Sequence, residues 1–353
     1  MRDFTFQALP TRVIFGSGTI ERLPDEIRRM GLSRVLVLST PQQAGEAERL
    51  AASFGPLAAG TFSGATMHTP VAVTEAALAV VREMRADGVV SVGGGSTTGL
   101  GKAIAVNTDL PQIVVPTTYA GSEMTDILGE TRDGVKTTRR SPAIQPETVI
   151  YDIDLTLGLP VGMSATSGLN AIAHAVEALY AEDGSPLVSL MAEAGIAAFA
   201  KALPVIVAEP RNGEARADAL YGSWLCGTCL GMVSMALHHK LCHTLGGTFD
   251  MPHAETHSIV LPHATAYNAP AVPEAMARIA KALSAPDAAQ GLYDLAGRIG
   301  APRALKDIGM PESGIDRAAD LAVANPYRNP RPVEREAVRR LIARAWAGEP
   351  PTA

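Results

Sequence analysis

The feature that most constrains this chain is a change of rhythm near residue 160. Before it, short β-branched runs alternate with helical stretches. "RVLVLST" predicts a buried strand. "TPVAVTEAALAVVREMRADG" predicts a helix with Thr69 as N-cap and Pro70 at its first position, ending by Gly88. "VVSVGGG" follows as a strand ending in glycines, and "PQIVVPTT" as one ending in threonines. Strand–helix–strand order of this regularity makes a parallel sheet covered by helices. From about Pro160 onward Ala, Leu and Met recur at helical spacing, in "SATSGLNAIAHAVEALYA", "LVSLMAEAGIAAFAKAL" and "ARADALYGSWLCGTCLGMVSMALHHKLCHTLGG". The last stretch is long and has to bend or break before Gly246. The rhythm divides the chain into an α/β domain over 1–158 and an α-helical domain over 159–353, with a ligand cleft expected where they meet.

At 353 residues, 47% hydrophobic and 19% charged, the chain has material for two packed cores. A formal charge of −6, with no basic run longer than two arginines, argues against nucleic acid or an anionic membrane as a partner. The opening residues lack the apolar core of a signal peptide, and no uninterrupted apolar run of about 18 residues offers a membrane span. Cys226, Cys229 and Cys242 are too few for a disulfide framework. The "CGTC" pair lacks a second ligand pair, so these cysteines read as small apolar fillers in a protein of the reducing cytoplasm.

"SVGGGSTTGLGKAIA" sets Gly93, Gly94, Gly95 and Ser96 between a strand end and a helix start. Glycines let backbone approach a phosphate, and a helix N-terminus adds N–H donors and the positive end of its dipole. The Walker A pattern fails, because Ser96 stands where its first glycine belongs and Ala103 follows Lys102. A pyrophosphate-binding turn is the functional reading. "PTTYAGSEMT" brings the hydroxyls of Thr117, Thr118, Ser122 and Thr125 to the next strand end. Two polar loops on neighbouring strand ends point to a dinucleotide site.

Four of the eight histidines lie within "LHHKLCHTLGGTFDMPH". His239 and His243 are four apart on one helix face, as are Asn170 and His174 in "GLNAIAHAVE". His253 follows a loop able to turn the chain back. His174, His239, His243 and His253 therefore form a candidate site. His238 is out of phase with His239, His257 has no assigned role, and His68 and His263 read as structural or solvent-facing.

Together "VGGGS", "PTTYAGSE", "GLNAIAHAVE", "HHKLCHTLGG" and "MPHAETHSIVLPH" resemble the iron-containing (group III) alcohol dehydrogenase superfamily over essentially the whole chain. The variants "STPQQ", "PTTYAGSEMT", "LNAIAHAVEA" and "NPYRNPRP" resemble the maleylacetate reductases within it. The resemblance implies a dehydroquinate synthase-like fold, with a Rossmann-like dinucleotide-binding domain, an all-α domain and a homodimer. In metal-dependent relatives an aspartate and three histidines hold a divalent ion. Those positions fall here at Asn170, His174, His239 and His253, and His243 matches a further histidine near nicotinamide and substrate.

Asn170 departs from that pattern. Its amide oxygen is neutral, a poor donor to a hard cation, so no catalytic metal is expected. The implied chemistry suits that loss. Hydride adding to the alkene carbon β to the ketone of maleylacetate leaves an enolate, which hydrogen-bond donors can stabilise in place of an ion, and the product is 3-oxoadipate. His174, His239 and His253 are expected as donors, and His243 or Tyr327 as the proton source. Arg328 and Arg331, beside Tyr327 in "NPYRNPRP", suit a dicarboxylate. Thr40 follows the first long strand where NAD-preferring relatives often carry an acidic residue, so NADH is the expected donor with NADPH open. The rival expectations are a metal-dependent alcohol or polyol dehydrogenase, and a catalytically dead nucleotide-binding relative.

Overall fold

The computed structural model describes residues 4–132, 135–325 and 327–353. Pro326 of the "NPYRNPRP" loop lies outside the described residues. The chain divides into two compact units, Ala8–Leu159 and Pro160–Ala353, with residues 4–7 grouped in the second.

The first unit runs β1 (Arg12–Gly16), α1 (Leu23–Arg29), β2 (Val35–Leu38), α2 (Ala44–Ser53), β3 (Ala58–Phe62), α3 (Val71–Met84), β4 (Gly88–Gly93), α4 (Gly95–Thr108), β5 (Gln112–Pro116), β6 (Ile127–Arg132), β7 (Val135–Arg140) and β8 (Thr148–Asp152). Six strands form one parallel sheet in the order β1-β8-β5-β4-β2-β3. Every residue of β2, β4, β5 and β8 is buried, which is why these strands read as continuous apolar runs rather than alternating ones. From β2 the chain winds outward to β3, returns to β4 on β2's other side, and continues away to β5. The direction reverses between β2 and β4, and open α/β sheets bind ligands at the carboxyl ends of such a switch.

Two local features depart from expectation. Helix α3 starts at Val71 with Pro70 as N-cap, one residue late, because Thr69 takes a φ of 44° and its carbonyl accepts the Thr131 N–H at 3.2 Å. The antiparallel hairpin β6–β7 has no counterpart in the sequence reading. Its strands are polar and part-exposed, so no apolar alternation marks them.

The second unit comprises α5 (Val161–Tyr180), α6 (Pro186–Ala208), α7 (Gly213–Met232), α8 (Leu237–Phe249), α9 (His253–Asn268), α10 (Pro273–Ala282), α11 (Ala288–Arg298), α12 (Gly314–Ala324) and α13 (Arg335–Ala347). Helix α6 is apolar and long enough to cross a bilayer by length and composition alone. It lays Ala192, Ile196, Phe199 and Leu203 into the core. Its Gly195 faces Cys226 of α7, where an added Cβ would sit 2.6 Å from the sulfur. Cys226 and Cys229 are buried there as free thiols, and burial pushes Cys229 up to about 12, so neither is a thiolate.

The long helical stretch breaks at 233–236, and α8 leaves α7 at 94°. Two carboxylates cause the break. Asp183 accepts the Ser234 N–H at 3.0 Å, and Glu177 accepts those of Ala236 and His238 at 2.8 Å each. These bonds satisfy the N–H donors that open α8. The new direction sends Leu237, Leu241 and Leu245 into a core shared with α9, α12 and α13.

Candidate active site

In the first unit, the ends of β2, β4 and β5 carry one polar patch. Gly93 has φ 148°, and an added Cβ would lie 2.5 Å from Thr97 Oγ1 and 2.8 Å from Gln43 Oε1. A Cβ on Gly94 would lie 2.9 Å from Thr118. Glycine is required at both positions for the turn to pass this close. The Thr117 N–H donates to Gly93 O at 2.9 Å, Thr40 Oγ1 to Gln43 Oε1 at 3.3 Å, and Gln43 Nε2 to Thr117 Oγ1 at 3.4 Å. Thr40, Gly93, Gly94, Thr117 and Thr118 thus surround the N-terminus of α4, where exposed Gly95 and half-buried Ser96 begin the helix. That is the geometry of an anion-binding helix start. Gln43, not singled out from sequence, bridges the two strand ends. Ser122 is half-buried, whereas the Thr125 hydroxyl is turned inward, accepting from Lys102 Nζ at 2.8 Å and donating to Ser122 O at 3.1 Å.

In the second unit, α5 carries Asn170, His174 and Glu177 on one buried face. Helix α8 adds His238, His239 and His243, and α9 opens with His253 followed one turn later by His257. Ring centroids run His174 to His239 5.1 Å, His239 to His257 5.1 Å, His257 to His253 4.2 Å and His253 to His243 6.4 Å. All four histidines singled out from sequence therefore fall in one chain of rings, with His243 at its exposed end. His257 sits in the middle of that chain. It stands four residues from His253 in "HAETH", the spacing already used for His239 and His243, so the signal was present.

The tautomers follow from the partners. His238 Nε2 lies 3.1 Å from the His257 carbonyl, which only accepts, so Nε2 carries the hydrogen and Nδ1 is a lone pair. His239 Nδ1 faces that lone pair at 3.3 Å and Glu177 Oε2 at 2.7 Å. Both neighbours accept, so His239 is protonated at Nδ1 and presents a bare Nε2. Burial, reinforced by neighbouring imidazoles, pulls His174 and His257 well below the usual histidine value, His238 to about 4 and His239 to about 3. These four buried imidazoles are neutral at pH 7. Glu177 is pushed up by burial and held down by His238 and three N–H groups.

Several buried polar atoms here have no protein partner among the described residues: His174 Nδ1, His239 Nε2, both ring nitrogens of His257, and Tyr327 Oη. Leaving such atoms unsatisfied costs about 1–3 kcal/mol each, so their convergence marks a place for a polar ligand. Tyr327 packs against the α8–α9 core, and burial raises its phenol. Asn329 holds the same loop, donating to Asn268 Oδ1 at 2.7 Å and accepting from Leu237 N at 3.3 Å. Of the two arginines, Arg328 pairs with Glu182 at 2.7 Å on the surface. Arg331 instead donates to Tyr267 O at 3.0 Å and lies 4.4 Å over the Tyr267 ring.

The donor set is a poor fit for a ferrous ion. Nitrogens of His238, His239 and His257 lie within 4.8 Å of one another among the described residues. That set differs from the implied Asn170, His174, His239 and His253. His238 uses both nitrogens on protein atoms. The carboxylate touching the cluster, Glu177, has both oxygens taken by Ala236, His238 and His239. The rings that gather here are neutral imidazoles, and Asn170, one turn before His174 on α5, carries a neutral amide, so neither brings the anionic oxygen a hard cation prefers.

Comparison with known proteins bears on the whole chain. The sequence model for iron-containing alcohol dehydrogenase matches residues 10–153, and that for the C-terminal region of the Fe-containing alcohol dehydrogenase family matches 164–346. The maleylacetate reductase of Sphingobium indicum is 60% identical over 349 residues, covering 99% of each chain. The crystal structure of maleylacetate reductase from Rhizobium sp. strain MTP-10005 superposes with a TM-score of 0.96 at 59% identity, covering 99% of this chain and 100% of that one. A putative alcohol dehydrogenase from Ralstonia eutropha JMP134 superposes with a TM-score of 0.99 at 57% identity, with the same coverage. The chain belongs to the iron-containing alcohol dehydrogenase family and, within it, sits with the maleylacetate reductases.

Proposed function

We propose that this oxidoreductase reduces maleylacetate, and substituted maleylacetates, to 3-oxoadipate with NADH and without a catalytic metal. The carrying observation is Asn170 beside a neutral, Glu177-braced imidazole cluster. NADH binds with its pyrophosphate at Gly93–Ser96 and its ribose near Thr40, which, being uncharged, leaves NADPH open as a second donor. Hydride from C4 of the nicotinamide adds to the alkene carbon β to the ketone, and the electron pair moves onto the ketone oxygen as an enolate. A proton then adds to the α carbon.

The tautomers sharpen the roles. His239 offers a lone pair, so it accepts a hydrogen bond rather than stabilising the enolate. The oxyanion donors are the N–H groups of His257 and His174 and the O–H of Tyr327. His253 positions the substrate, and exposed His243, open to proton resupply, returns the proton. Arg328 can leave its exposed partner for a substrate carboxylate, because surface ion pairs hold by only about 0–1 kcal/mol. The family resemblance supports a cytoplasmic homodimer.

The test is NADH oxidation with maleylacetate, with and without a strong chelator, on protein of measured metal content. The expected outcome is turnover indifferent to the chelator. A stoichiometric zinc or iron whose removal abolishes activity would establish the metal-dependent dehydrogenase reading instead.

A further inference from the structure

Lys102 is fully buried on α4, seven residues past its first residue, Gly95. Its Nζ lies 2.5, 2.7 and 2.9 Å from the carbonyl oxygens of Ser122, Thr125 and Ile127 and 2.8 Å from Thr125 Oγ1, four acceptors shared among three N–H groups. Four oxygens around one nitrogen is the surrounding of a dehydrated monovalent cation, with carbonyls in place of a hydration shell. A neutral amine would turn its lone pair on one of them. Asp126 and buried Glu123 attract the ammonium; burial pushes the Glu123 carboxyl up, while Lys102 itself and the Tyr151 hydroxyl, which donates to it at 2.9 Å, hold it down. Burial pulls the ammonium down to about 7, with Glu123 and Asp126 opposing the fall and Arg140 adding to it.

The cage has a position in the site. Its oxygens all belong to the segment that leaves β5, the same segment that carries Thr117 and Thr118. An added Cβ on Gly95 would lie 3.6 Å from Ala120, so this segment packs directly on the turn that starts α4. Helix α4 thus meets the segment twice, at its N-terminus and again through Lys102. On its other sides Gly99 and Gly101 keep α4 close to the chain before α3 and to β4, since a Cβ there would lie 2.4 Å from Thr69 Oγ1 and 2.3 Å from Ser91 Oγ. They let α4 lie close on its neighbours.

We propose that Lys102 is a positioning residue for the dinucleotide site: its ammonium acts as a tethered monovalent cation that holds residues 117–127 against the glycine turn. This rests on the proposed binding of NADH at that turn. Lys102 touches neither cofactor nor substrate, and acts through the loop.

The test uses the full-length enzyme and the variants K102M and K102A, with three readouts: circular dichroism, amide hydrogen exchange at Met124, Thr125 and Ile127 without nucleotide, and NADH affinity by fluorescence. Both variants are expected to fold, to exchange faster at those amides, and to bind NADH about tenfold or more weakly, the scale on which a displaced positioning group acts. In K102A, ammonium chloride should restore part of the affinity. Tetramethylammonium chloride at equal ionic strength should not, because it is too large for the cage. Wild-type exchange rates at the three amides, equal recovery with the two salts, or loss of fold in both variants would each overturn the assignment. Failure of the wild-type enzyme to bind NADH would sink the nucleotide reading instead, and the exchange measurement would still decide the cage.

Discussion

Glu177 does two things with two oxygens. It satisfies the first amides of α8 and orients the His239 ring, so helix start and site residue are placed by one group. Glu177→Gln keeps the shape but turns a donor toward groups that themselves donate. The expected result is a fall in kcat of about 100-fold or more; loss of a tautomer-setting carboxylate from a catalytic imidazole reaches about 10⁴-fold. Steady-state kinetics beside a circular dichroism control would show it, and a wild-type kcat would remove Glu177 from the site. His243→Ala should lower turnover about 100-fold while NADH affinity stays near normal. Near-normal turnover would move the proton step elsewhere. His174, His239 and His243 were candidates because a helix advertises its faces at four-residue spacing, and His253 because the loop before it can turn the chain back. Glu177 was not, because its partners are backbone amides 59 and 61 residues onward, and backbone carries no sequence signal. Gln43 was hidden likewise, as its role exists only once β2 and β5 lie beside β4.

Among elements, α4 and α8 show how differently two helices of the fold are read. Helix α4 announces itself by strand, glycines and a following apolar run, and its glycines have a checkable consequence. Gly101→Ala would drive a methyl into Ser91 Oγ and push the helix off β4. Overpacking of this kind costs about 1–3 kcal/mol. A lower denaturant midpoint with weaker NADH binding is therefore expected, and an unchanged midpoint would mean that the packing is looser than described. Helix α8 is harder. Its break from α7 was required by length, yet its location depends on Glu177 of α5 and on Asp183 in the connection that follows α5. The hairpin β6–β7 is the limiting case, with neither apolar alternation nor burial to mark it in advance.

At the scale of the molecule, the division into sheet and helices was legible from rhythm alone, since burial on both faces and burial on one stripe leave different periods. The buried titratable groups add a property of the whole chain. His174, His238, His239, His257 and His263 all resist protonation in the folded state, while Glu123 and Glu177 resist ionisation. Below about pH 6.5 the unfolded chain takes up protons on those histidines that the folded chain refuses down to about 4 or lower. The unfolded state then binds more protons, so stability falls on acidification across that window. The two raised carboxylates act in the opposite sense above about 4.5, but five imidazoles outnumber them. Thermal unfolding from pH 8 to 4 should show the midpoint dropping most steeply between 6.5 and 4. A flat profile would mean that the imidazoles are already protonated in the fold.

The Glu177 brace has an evolutionary corollary. A metal centre held together by its ion collapses when a ligand changes, so such a change is seldom survivable. Here α5 and α8 are joined by protein bonds that do not depend on what stands at Asn170. Asparagine and aspartate codons differ by a single base. With the His239 ring already held in place, the proposed ion-free chemistry would lie one base change from ion-dependent chemistry, and the frame would persist through the step between them.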